Sequence, residues 1–102
     1  MVSMETIRAE LKSIRYYYER KSVFDQASDC VGKSAILDTI ARYNAIICIA
    51  EPKFYELYVC LYVNCNTQEA AACILNYSPN YVYKLNKRLL QFFYEQFNRK
   101  EA

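Results

Sequence analysis

Apolar residues recur at helical spacing through the first half of the chain. Met4, Ile7, Leu11, Ile14 and Tyr18 alternate steps of three and four residues, so they share one face of a helix. Arg8, Lys12, Arg15, Glu19 and Arg20 fall on the other faces. The pattern predicts a helix from Ser3 to about Phe24. Roughly 20 residues of helix measure about 30 Å, more than a compact body of this size easily covers. Gln26 to Lys33, with Ser28, Asp29 and Gly32, reads as a connecting loop. A second stripe, Ile36, Ile40, Tyr43 and Ile47, is widened by Leu37, Ala41, Ile46 and Ile49 and predicts a helix from near Ser34 to about Ile49. Together the two make an antiparallel hairpin over residues 1–51. Its seam could be filled by the rest of the chain or by a second copy.

The second half, residues 52–102, has a different grammar. Glu51-Pro52 ends the second helix, because the residue before proline is pushed out of helical geometry. Pro52 can open a third, with Phe54, Leu57, Tyr58, Leu61 and Tyr62 on its apolar side to about Val63. Asn64-Cys65-Asn66 is a short polar turn. Thr67 is a good N-cap, and Glu69 lies in the first turn, where the helix dipole favours negative charge. Asn76 tolerates the left-handed conformation of a sharp helix-ending turn. Ser78 then caps a new helix with Pro79 in its first position. Val82, Leu85, Leu89, Phe92 or Phe93, and Phe97 keep that helix amphipathic to near residue 97, and the tail from Asn98 to Ala102 is expected to fray.

Composition narrows the class. Hydrophobic residues are 54% of the 102, with a single glycine and two prolines, which leaves little material for hairpins or a sheet. An all-α chain in one compact unit is the expectation, without extended disorder. Net charge is only +2, but its distribution is uneven. Residues 1–51 carry seven cations against seven anions, whereas 78–88 hold Lys84, Lys87 and Arg88 and no acid. The positive field is therefore local.

Five cysteines, Cys30, Cys48, Cys60, Cys65 and Cys73, stand without a histidine or a C-x-x-C. They read as reduced thiols serving as small hydrophobes, with no metal site. No cofactor is expected, and no enzyme. A histidine base is absent, and Gly32-Lys33-Ser34 echoes the end of a phosphate-binding loop whose upstream glycine is replaced by Ala27. Met1 to Arg15 is broken by Glu5, Arg8, Glu10 and Lys12, unlike a signal peptide, and Ala45 to Ala50 is too short to span a bilayer. The expected setting is the cytoplasm of a bacterial host cell, away from membranes.

Cap, helix, turn, cap, proline and helix in Thr67 to Arg88 make the pattern of a helix-turn-helix. From Pro52 onward the chain resembles region four of bacterial sigma factors, which reads the −35 promoter element. Pro52 matches the opening of that family's first helix, Thr67 and Glu69 its scaffold helix, and Ala72 the small position where two helices cross. Leu75, Tyr77, Val82 and Leu85 match its buried positions and Ser78 its cap. The whole chain also resembles small phage and mobile-element regulators that join such a module to an N-terminal helix pair. The resemblance implies a sequence-specific, DNA-binding transcriptional regulator with Ser78 to Arg88 as recognition helix. Its DNA-facing residues would be Ser78, Pro79, Asn80, Tyr81, Tyr83, Lys84, Lys87 and Arg88.

Each such role has a physical basis. Asn80 could pair bidentately with an adenine edge and Lys84 with guanine acceptors. Tyr81 and Tyr83 can donate to phosphate or touch a thymine methyl, and Lys87 and Arg88 suit phosphate neutralisation. Ser78 with the first amides of the helix offers a phosphate seat. Two departures keep a second function open. Sigma factors commonly carry arginine where this chain has Pro79, Tyr81 and Tyr83. Ala70, Cys73 and Ile74 replace exposed charges on the scaffold helix, which suggests that the N-terminal hairpin covers that face. An aromatic, weakly cationic surface also suits a protein-interaction module, an inhibitor or adaptor of RNA polymerase or another machine. A homodimer would read two half-sites about one helical turn apart, or multiples of that.

Overall fold

The computed structural model describes residues 2–21 and 33–99. Among these the chain forms five α-helices and no strand: α1 (Met4–Glu19), α2 (Lys33–Ile47), α3 (Pro52–Tyr58), α4 (Gln68–Leu75) and α5 (Pro79–Asn98). A π-helical turn, Val59–Val63, continues α3. The all-α class is as expected. Helix α1 stops at Glu19, with Arg20 as its C-cap, short of the expected Phe24, and Asn98, expected to begin a frayed tail, is still helical and bonded to Val2. Phe24 itself, the loop from Gln26 up to Lys33 and the tail beyond Arg99 lie outside the described residues. No helix among the described residues is long and apolar enough to cross a membrane.

Ser3 starts α1 by accepting a hydrogen bond from the Thr6 amide at 3.1 Å. Ile7, Leu11, Ile14 and Tyr17 are its buried residues. Tyr18, expected in the stripe, is half-buried, while Tyr17 is buried and Tyr16 exposed. Residues three and four beyond Ile14 both border the apolar face, and 100° steps then send the third tyrosine outward. Helix α2 buries Ile40, Tyr43 and Ile47, with Ile36 and Ile46 half-buried. Leu37, Ala41 and Ile49 are exposed instead of widening the stripe; Ile49 is 70% accessible. They lie away from the one side on which α2 meets α1, α3 and α5.

Glu51 and Pro52 open α3 as expected, and Phe54, Leu57 and Tyr58 are buried. The following residues are not plain α-helix. The Asn64 amide donates to the Val59 carbonyl at 2.8 Å, an i to i−5 bond. Cys65 then takes a left-handed φ of 61°, uncommon for a residue with a β-carbon. Its neighbours hold it there. Arg15 of α1 donates to the Cys65 carbonyl at 3.0 Å, and the Cys65 thiol faces the Arg15 carbonyl at 3.4 Å. The Asn66 amide and side chain both donate to the Cys60 carbonyl, at 3.1 and 3.0 Å. The turn between α3 and α4 is thus pinned to α1.

Buried residues of all five helices and of the π turn form one hydrophobic cluster. The rest of this chain fills the seam of the N-terminal helix pair. The Tyr43 ring of α2 lies 4.9 Å from both Phe93 and Phe97 of α5, and Tyr58 lies 5.9 Å from Phe93. The Tyr43 hydroxyl donates to Glu10 of α1 at 2.7 Å, and Arg42 donates to the same carboxylate at 3.0 Å.

Candidate nucleic-acid interface

Local chemistry sets the joint between α4 and α5 residue by residue. Thr67 caps α4, its hydroxyl accepting from the Ala70 amide at 3.1 Å. Asn76 ends α4 at φ 64°, ψ 40°, the left-handed conformation expected of it. The Tyr77 amide reaches back to the Ala72 carbonyl at 2.9 Å, the six-to-one bond of a helix-ending motif. Ser78 caps α5 by accepting from the Tyr81 amide at 3.1 Å, and Pro79 is its first residue. Ala71 and Ala72 are buried on α4, and small side chains there let it pack closely on α5. Tyr77 and Tyr81 brace the turn, ring against ring at 4.8 Å.

Helix α5 is divided lengthwise. Val82, Leu85, Leu89, Leu90 and Phe93 are buried. Ser78, Pro79, Asn80, Tyr83, Lys84, Lys87 and Arg88 are all exposed. Asn80, Lys84, Lys87 and Gln91 follow one another at spacings of four, three and four, a single outward stripe. Lys87 lies over the Tyr83 ring, 4.6 Å from its centroid, so the two form one cationic and aromatic unit. Lys84 and Arg88 have no ion-pair partner among the described residues. The first acid on the helix is Glu95, which accepts from Gln91 at 3.2 Å. Tyr81 differs from the others: it is half-buried, its ring committed to Tyr77. Tyr83, half accessible, is the tyrosine that stands outward on α5.

No family model, curated protein or solved structure matches the chain.

Two features of the surface differ from the sequence reading. The face of α4 carrying Cys73 and Ile74 is not covered by the N-terminal helices; Ile74 is 61% accessible. Helix α4 packs on α3, the π turn and α5 rather than on the N-terminal helices. Ile74 and Leu75 instead border an open groove of about 540 Å³ with Tyr55, Glu56 and Val59. Cys48 and Cys73 are likewise exposed, so among the described cysteines only Cys60 serves as a buried hydrophobe, with Cys65 half-buried in its turn. Burial pushes the Cys65 thiol above its ordinary pKa. Cys30 lies outside the described residues. Among those described, no group of three or more cysteines and acids could hold a metal.

The cations of α1, read from sequence as a solvated face, were the missed feature. Arg8 and Lys12 are exposed but border a cleft against Asn86 and Leu90 of α5. Helix periodicity alone signals that Arg8, Lys12 and Arg15 share one flank; it does not say which helix lies beside them.

Proposed function

We propose that the protein is a sequence-specific DNA-binding transcriptional regulator of the phage or mobile-element type, with a helix-turn-helix similar to sigma factor region four. Residues Ser78 to Arg88 are its recognition helix. The observation that carries this reading is the stripe of Asn80, Lys84, Lys87 and Arg88, exposed and without an acid, on a helix whose opposite face is core. A groove of duplex DNA accepts such a helix, its N-terminal residues nearest the base edges. Asn80 and Lys84 then read bases, and Ser78, Tyr83, Lys87 and Arg88 hold the backbone. Tyr81 supports the turn that sets the helix angle. The N-terminal helices brace α5 from behind through Tyr43, Phe93 and Phe97. RNA polymerase is the natural second partner for a regulator of this type.

The test is duplex selection from random sequence, followed by titration of the recovered duplex across a salt series. Affinity is expected to fall steeply with salt. Lys84→Ala and Lys87→Ala should each flatten the logarithmic slope by roughly one unit. Lys84→Ala should also relax base preference at one position. A chain that recovers no duplex sequence sinks the reading.

A second reading, a protein-interaction module that engages RNA polymerase or another machine, is favoured by the groove of mixed polarity beside the exposed Tyr55 and Ile74. It predicts no duplex binding at moderate salt. It also predicts a stable complex with purified polymerase that Ile74→Asp abolishes.

A further inference from the structure

Helices α1 and α5 run past each other in opposite directions. The Val2 amide donates to the Asn98 side chain at 2.8 Å, while Lys12 and Asn86 border the same cleft. This cleft encloses about 230 Å³ and is lined by Arg8, Leu11, Lys12, Tyr62, Asn86 and Leu90. Arg8 and Lys12 are four residues apart on α1 and therefore neighbours on its surface. Neither has an ion-pair partner among the described residues. Glu10, between them in sequence, is turned to α2, where it accepts from Arg42 and Tyr43.

Asn86 adds a directional group. The Tyr62 hydroxyl donates to Asn86 Oδ1 at 2.8 Å, which fixes the amide plane. The Nδ2 hydrogens are left to donate, and no described residue accepts them. Tyr83 and Leu90 lie three residues before and four after Asn86, on the same flank of α5. Asn86 thus joins the cleft to the helix that carries the Tyr83–Lys87 unit, and it sits about 9 Å along the axis from Asn80. Two cations and a fixed amide donor beside a small apolar floor match the charge and hydrogen-bonding of a phosphodiester.

The geometry points to this cleft as a seat for backbone phosphates of duplex DNA flanking the bases that α5 faces, with Arg8 and Lys12 supplying charge and Asn86 the oriented donor. It rests on the duplex-binding reading above, and makes the N-terminal helix part of the interface as well as its brace.

The full-length chain is titrated with the selected duplex by fluorescence anisotropy between 50 and 200 mM potassium chloride. The Arg8→Gln/Lys12→Gln double variant should flatten the slope by roughly two units, so that it loses about tenfold less affinity than wild type over that range. Its base preference should be unchanged. Asn86→Asp keeps an acceptor for Tyr62 and puts a carboxylate in the cleft; it should weaken binding on the order of tenfold. Circular dichroism confirms that both variants are folded. If the double variant keeps the wild-type slope while Lys84→Ala weakens binding, the cleft is excluded and the recognition helix stands. If the wild-type chain binds no duplex, both fail.

Discussion

Tyr58 buries its hydroxyl oxygen without a hydrogen-bond partner, while its ring packs against Tyr62 and Phe93. A buried hydroxyl so placed has lost its hydration for nothing, a penalty of about 1–3 kcal/mol. Tyr58→Phe removes the hydroxyl and keeps the ring. It should therefore raise stability by about 1 kcal/mol, read as a higher urea midpoint with an unchanged m-value. A lower midpoint would mean that the hydroxyl has a partner in solution. Tyr43 is the contrast: equally buried, its hydroxyl donates to Glu10 at 2.7 Å and ties α2 to α1. Residue identity alone does not separate the two tyrosines. What separates them is which element ends up within reach of each hydroxyl.

At the scale of elements, the joint between α4 and α5 was legible in detail. Thr67, Asn76, Ser78 and Pro79 act within four residues of themselves, so chain-local chemistry decides their geometry. The π turn was not legible. It depends on how Cys60 and Leu61 reach the core, and on Arg15 pinning Cys65 from fifty residues away. The crossing of α4 over α5 relies on the small side chain of Ala72, 3% accessible. Ala72→Leu should overpack that contact and destabilise by about 1–3 kcal/mol. Cys73→Leu, one residue on and exposed, should shift stability by no more than about 0.5 kcal/mol. Thermal melts of the two variants side by side distinguish a tight crossing from a loose one.

At the scale of the whole molecule, the single aromatic core makes folding sensitive to alkali. Burial raises the pKa of Tyr43, Tyr58 and Tyr62 above the ordinary tyrosine value, and of Cys65 above the ordinary thiol value. Above about pH 10 the unfolded chain releases phenolic protons that the native chain retains. The unfolded state then binds fewer protons, so stability falls as pH rises. The urea midpoint should be steady from pH 7 to about 8 and begin to fall as Cys65 titrates in the unfolded chain. It should fall more steeply beyond about pH 10, less so in Tyr58→Phe. A midpoint that stays flat to pH 11 would contradict the burial of these phenols.

Taken alone, the sequence determined that the chain is helical, where most of its helices begin, how the turn before Pro79 is made and which stripe of α5 faces outward. Those features follow from backbone preferences and from helical period, both of which act over a few residues. Tertiary structure decided what lies against each face. Periodicity gave Tyr43 and Phe93 to a core without pairing them, placed Ile74 under a hairpin that in fact packs elsewhere, and left Arg8 and Lys12 on an unassigned flank. An apolar stripe requires only that something cover it. Which helix does so depends on how the described helices fit together, and the antiparallel passage of α1 beside α5 is what sets Arg8 and Lys12 against Asn86 and Leu90.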